Sequence, residues 1–185
     1  MSLLGEIRPA KEQDLAAMRA WRNAPAVRAN MYTQHEITCA EHQAWWKRVH
    51  SSADQQHFIY EKSDEAVGVI SFSLIDHLHK SCSWAYYAAP DAPIGTGALM
   101  EFLALEYVFN TLKLNKIYCE VLAYNAPTIR LHQRFGFQVE GIFRDQYLLD
   151  DAFVDIYRLG LLQDEWAEKR DEMHHKLTVK LRRKL

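Results

Sequence analysis

The sequence predicts an α/β fold with a mixed sheet, and three observations carry that reading. Strand-like and helix-like segments interleave along most of the chain. A Gly95-Thr96-Gly97 turn opens directly into a long helix that is apolar on nearly every side. A continuous apolar run over 115–124 then follows, the pattern of a central strand covered on both faces.

Taken in order, residues 3–8 read as a first strand. Leu15, Met18 and Trp21 fall at three-residue steps and predict an amphipathic helix over 11–23, which Pro25 ends. A second short helical piece covers 26–31. Thr38-Cys39-Ala40-Glu41 is a capping box that opens a helix to about Val49. Residues 57–62 and 66–75 form two strands joined by a turn at Ser63-Asp64-Glu65, and the aromatic-rich run 81–88 forms a third. The long helix spans 98–112. After the apolar strand comes a helix over 126–135, with Pro127 in its first turn. Residues 136–149 and 152–162 are strands, reversed at Asp150-Asp151. Residues 163–185 are densely charged and predict a peripheral helix or partly ordered end beside a domain over 1–162.

Composition narrows the function classes. The 185 residues suit one domain with its own core. The net charge of −2 gives no reason to expect a nucleic-acid or membrane-surface partner. Cys39, Cys82 and Cys119 are odd in number and widely spaced, so neither a disulfide framework nor a zinc site is expected. No basic stretch leads into an apolar run near the start, and no apolar stretch reaches bilayer length. These features predict a cytoplasmic protein. His77/His79 and His174/His175 lack a third ligand, so no metal is expected.

The Gly95-Thr96-Gly97 turn is the first chemical signal. Glycines allow a sharp turn and close approach of a ligand. The first amides of the helix behind it lack intrahelical partners, and its dipole favours an anion there. Ile94 to Ala98 therefore read as a cradle for a phosphate or pyrophosphate. Downstream, Asn125 ends the buried strand and caps a helix. Gly136 suits a left-handed position at that helix's end, and Phe137 returns to the core.

These two motifs resemble those of the GNAT acyl-CoA N-acyltransferases. In that family a Gln/Arg-x-x-Gly-x-Gly/Ala signature starts the central helix. Here Ala92-x-x-Gly95-x-Gly97 keeps the glycines and lacks the leading Gln/Arg. The family's Asn, short helix and Gly-Phe are matched by Asn125, Gly136 and Phe137. The resemblance implies a mixed, mostly antiparallel sheet, splayed in the middle and flanked by helices. It implies acetyl-CoA as co-substrate and an N-acetyltransferase activity. The pantetheine arm should run along Trp84, Ala85 and Tyr86. Ile94, Gly95, Thr96, Gly97, Ala98, Asn125, Thr128, Arg130 and Arg134 are the further cofactor-binding candidates.

Many GNAT enzymes carry a Tyr four residues before the Gly of Gly-Phe, and His132 stands there. Its side chain is the candidate general acid for the departing thiolate. Glu120, a carboxylate on an apolar strand, is the candidate base, with burial expected to raise its pKa. An exposed helix histidine and a surface ion pair are the plainer alternatives. Cys119 reads as a buried core thiol.

Trp21-Arg22-Asn23, Arg28, Met31, Glu41-His42 and Trp45 resemble the N-terminal part of two GNAT groups. One acetylates ribosomal proteins. The other acetylates the 4-amino group of a UDP-linked amino-dideoxy sugar in pseudaminic acid biosynthesis, and later segments look closer to it. On that reading Arg22, Asn23, Arg28, Met31, Tyr32, His42, Trp45 and His79 bind a UDP-amino sugar. A peptide acceptor, a CoA-binding module without turnover, and a homodimer remain open.

Overall fold

A computed structural model describes residues 2–182. Its strands are β1 (Glu6–Pro9), β2 (Gln56–Lys62), β3 (Glu65–Asp76), β4 (Ser81–Ala88), β5 (Lys116–Leu122), β6 (Gln138–Leu149) and β7 (Ala152–Leu162). They form one sheet in the order β1-β2-β3-β4-β5-β7-β6. Every neighbouring pair is antiparallel except β4 and β5. The expected α/β class and mixed, mostly antiparallel sheet are both present.

Alternation along the strands divides the core between the sheet's two faces. Phe58, Tyr60, Ile70 and Phe72 join the larger cluster with Met100, Phe102, Leu105 and Phe135. Ile59 and Val69 pair across β2 and β3 and meet Met18, Trp21 and Trp45 on the other face. Helices α1 (Leu15–Asn23), α2 (Pro25–Arg28) and α3 (Cys39–Val49) supply that second side. Thr38 caps α3 as its sequence predicts, accepting from the Glu41 amide while the Glu41 carboxylate accepts from the Thr38 amide.

Helix α4 (Thr96–Glu106) is shorter than the predicted helix, because residues Tyr107–Thr111 widen into a π-helical turn. That turn sets the Tyr107 ring 4.7 Å from Phe58 and its hydroxyl 2.7 Å from Gln56. Helix α5 (Ala126–Phe135) ends in a Schellman motif. Gly136 sits at φ 105°, its amide donates to the Gln133 carbonyl, and the Phe137 amide donates to that of His132. Gly136 therefore closes the helix, and β6 starts at Gln138 rather than at 136. Asp150 and Asp151, both at positive φ, make the predicted hairpin turn.

The charged tail forms α6 (Gln163–Arg182), and residues 183–185 of the predicted tail lie outside the described residues. α6 is packed on the domain. Trp166, Met173 and Leu177 are buried, and the Trp166 ring lies 5.5 Å from Phe102 and 6.1 Å from Phe135. Arg170 grips the Glu106 carboxylate through two nitrogens. The charge density conceals this face because one large residue per turn or two suffices to dock a helix. Trp166→Ala should cost about 3–5 kcal/mol of unfolding free energy. Urea titration checks this, and a change below about 1 kcal/mol would show that α6 is not integral to the fold.

Candidate active site

Strands β4 and β5 pair only at Ser81/Lys116, Cys82/Ile117 and Ser83/Tyr118. Beyond Ser83, β4 stays bonded to β3 as far as Ala88, while β5 stays bonded to β7 as far as Leu122. The two strands part, as the splayed sheet requires. A cavity of about 380 Å³ fills the opening, with Trp84 to Pro90 on one wall and Cys119 to Val121 on the other. Asn125, Thr128 and His132 of α5 close one end, and Ala26, Val27, Asn30 and Met31 border it from the N-terminal segment.

The glycine turn stands where β4 passes into α4. Gly95 takes φ 101°, and a Cβ added there would meet nothing within 4 Å, so the turn faces open space. A Cβ on Gly97 would come within 3.2 Å of the Tyr86 ring. Thr96 is engaged within the turn itself. Its amide and its hydroxyl both donate to the Pro93 carbonyl, and its side chain is buried, so it shapes the turn. Ile94 is 90% exposed on the rim. Asn125 makes no side-chain cap to α5; its carbonyl accepts from Thr128 and Ile129, and the residue faces the cavity.

His132 is buried, not exposed. Its Nδ1 lies 2.8 Å from the Glu101 carboxylate of α4, and both side chains are almost wholly enclosed. Trp84, Tyr86 and Phe137 surround the imidazole at 5.1 to 6.1 Å. Burial pulls the His132 pKa down, but Glu101 and Cys119 more than reverse this, so it titrates above its ordinary value. Burial likewise raises the Glu101 carboxyl against the pull of His132. The pair thus holds a proton more firmly than its free components.

Glu120 departs from its expectation of burial. It stands exposed at the cavity mouth, 3.1 Å from Arg158 on β7, and accepts a hydrogen bond from the Tyr32 hydroxyl. The plainer alternative, a carboxylate paired with a surface Arg, is what the geometry gives. Arg158 also covers the Tyr118 ring at 3.5 Å. Tyr32, Glu120, Phe143, Gln146, Tyr147 and Ile156 continue the mouth outward.

The acceptor candidates separate. Met31 and Tyr32 reach the cavity or its mouth. Arg22 and Arg28 line neither the cavity nor its mouth; Arg22 donates to the Thr33 carbonyl, has a buried Nη1 with no partner among the described residues, and its pKa is lowered by burial, Tyr87 opposing this and Arg28 adding to it. Asn23 is committed elsewhere, bonding the amide and carbonyl of Ile37. His42 is buried against Trp45, and Trp45 packs on Met18, Ile59 and Val69, so both belong to the core rather than to the mouth. His79 is exposed in the β3–β4 turn, at the end where β4 and β5 are still paired, away from the opening. Arg130 is exposed on α5 outside the cavity, and Arg134 and Ala98 line a different hollow beside the glycine turn.

The profile described as "Acetyltransferase (GNAT) domain" matches residues 6–138. This chain belongs to the GNAT acetyltransferase family. It is 24% identical to a spermidine N(1)-acetyltransferase of Vibrio cholerae over 68% of this chain and 73% of that one. It is 27% identical to acetyltransferase PseH of Campylobacter jejuni over 73% and 83%. The crystal structure of the Vibrio cholerae spermidine N-acetyltransferase with CoA and spermine superposes with a TM-score of 0.83 at 21% identity, covering 90% and 99%. The fold is the GNAT fold, and the protein is an N-acetyltransferase.

Within this GNAT domain, sequence reasoning overlooked Glu101 and Arg158. Glu101 had a signal, as a lone carboxylate in an otherwise apolar helix turn. Arg158 had none, since its strand alternates like any other. The Glu101–His132 pair also fixes a pH dependence. Both groups have raised folded pKa values, so the native state binds more protons than the unfolded chain. Stability should therefore fall as pH rises above the ordinary values of 4.5 and 6.5. Urea midpoints measured from pH 5 to 9 should show this slope, and Glu101→Gln with His132→Phe should flatten it.

Proposed function

We propose that this N-acetyltransferase moves the acetyl group of acetyl-CoA directly to the primary amine of a UDP-linked amino sugar, as in pseudaminic acid biosynthesis. The observation that carries the acceptor assignment is the charge at the mouth. Among the described residues Glu120 is the only carboxylate lining the split or its mouth, and Arg158 already pairs with it. A polyamine would need unpaired acids there. The exposed Tyr32 and Phe143 at the mouth instead suit the base or sugar ring of a nucleotide sugar. The likeness to PseH points the same way. The spermidine acetyltransferase relatives keep a polyamine as the second reading.

Acetyl-CoA would lay its pyrophosphate on the first turn of α4 and its pantetheine between β4 and β5. The β5-facing backbone groups of β4 beyond Ser83 are without strand partners and can bond the arm and the thioester oxygen. The neutral amine attacks the carbonyl carbon, the C–S bond breaks, and the thiolate takes the proton of His132 Nε2. Glu101, bonded at Nδ1, orients the ring and keeps it protonated. Glu120, held at the mouth by Arg158 and the Tyr32 hydroxyl, accepts the ammonium proton directly or through water. The pair's firm hold on its proton keeps the acid charged through neutral pH.

His132→Phe should lower kcat by about 10²–10⁴ with little change in the KM for acetyl-CoA. Glu101→Gln removes the charge that overcomes burial, so the alkaline limb of kcat should move to lower pH. An unmoved limb would sink the pairing role. Thiol release from acetyl-CoA, measured with a UDP-4-amino-4,6-dideoxy sugar, spermidine and a ribosomal-protein N-terminal peptide, decides the acceptor. The sugar nucleotide should give the highest kcat/KM; a higher value with spermidine or the peptide would overturn the assignment.

A further inference from the structure

We propose that α6 completes the seat for the 3′-phosphoadenosine end of CoA. The inference rests on acetyl-CoA being the donor, and it assigns a ligand role to a segment beyond the matched domain, which ends at residue 138. A second cavity, of about 330 Å³, shares no lining residue with the one in the split. Gly95 and Ala98 of the glycine turn form one of its walls, and α6 forms the opposite one.

The helix offers two kinds of surface there. Met173, Leu177 and Leu181 recur every four residues and make an apolar strip along one face. Lys169, Lys176 and Lys180, at steps of seven and four, run beside that strip. Arg134 at the end of α5 adds a fourth cation, and among the described residues no carboxylate lines the cavity. Lys169 and Lys176 share the nearby Glu172, which is half-exposed and lies outside the lining. Lys180 and Arg134 form no ion pair among the described residues.

This pattern fits one part of the donor. A pyrophosphate on the first turn of α4 leaves the adenine tethered by a single ribose, so the adenine and the ribose 3′-phosphate must settle on a surface bordering that turn. The adenine is a flat ring that an apolar strip covers well, and the ribose 3′-phosphate is a dianion that wants several cations. Both requirements are met at one wall of one hollow. The wall is firm, because Trp166 and the Arg170–Glu106 clamp fix α6 to α4.

Calorimetric titration of the full chain with CoA and with 3′-dephospho-CoA tests the seat. The wild-type chain should bind CoA at least about tenfold more tightly, the range of one or two charge-assisted bonds. Lys176→Ala with Lys180→Ala should lose most of that preference while binding 3′-dephospho-CoA as before. Both lysines are exposed and alanine favours helix, so the variant keeps its fold. Equal affinity of the wild-type chain for the two nucleotides, or an undiminished preference in the variant, would overturn the seat. If the wild-type chain bound neither nucleotide, the donor assignment itself would fall and the seat with it, an outcome distinct from a lost 3′-phosphate preference.

Discussion

Two parallel strands that begin as neighbours and then separate leave backbone donors and acceptors facing a gap. Such groups are costly when they meet neither partner nor water. In this protein β4 and β5 share three residue pairs and then diverge, so the sheet contains an internal edge on each side of an opening. An edge of that kind is a template for an extended ligand. The connection between the strands determines what stands at the opening. Leaving β4, the chain turns at Gly95, runs through α4 and returns as β5; it then turns again at Asn125 into α5. The N-terminus of α4 thus follows one of the parted strands, and α5, which carries His132, follows the other.

Glu101 and His132 join those two helices inside the protein. Burying a carboxylate and an imidazole is expensive unless each satisfies the other. The cost is tolerated where the pair serves chemistry, because low dielectric strengthens its hold on a proton. The aromatic rings around the imidazole exclude water and fix its plane. Two of those rings, Trp84 and Tyr86, also line the cavity in the split, so the imidazole and the cavity wall belong to one packed cluster.

Much of this was legible in the sequence. Periodicity located α1, α3, α5 and most strands within a few residues, since those elements obey local rules: a capping box at Thr38, a left-handed glycine at Gly136, a turn at Asp150-Asp151. The glycine turn, Asn125 and His132 were found by motif; Asn125 and His132 line the split, and the turn opens α4 beside a neighbouring hollow. What escaped depends on distant partners. That Glu120 is exposed, Asn23 is engaged by Ile37 and Trp45 packs on Ile59 and Val69 follows from tertiary packing with no local mark. The π-turn at Tyr107 likewise answers to aromatic neighbours on β2 and β3. Charge masked the docking face of α6, whose three buried residues are spaced too widely to raise its average hydrophobicity.

Three tyrosines span the acceptor side. The Tyr32 hydroxyl reaches Glu120 on β5, the Tyr124 hydroxyl reaches the Ala29 carbonyl, and the Tyr147 hydroxyl on β6 reaches the Tyr32 carbonyl. The segment carrying Ala29 and Tyr32 enters from α2, so these bonds moor an N-terminal roof to the far half of the divided sheet. Each is solvent-exposed and worth about 1 kcal/mol. The roof can therefore lift by breaking a few exposed contacts while the core stays intact, placing it at the low-stability end of the molecule. This stretch of the cavity border is thus held by exposed phenols at its rim, and its position owes less to the buried core than that of any strand it touches.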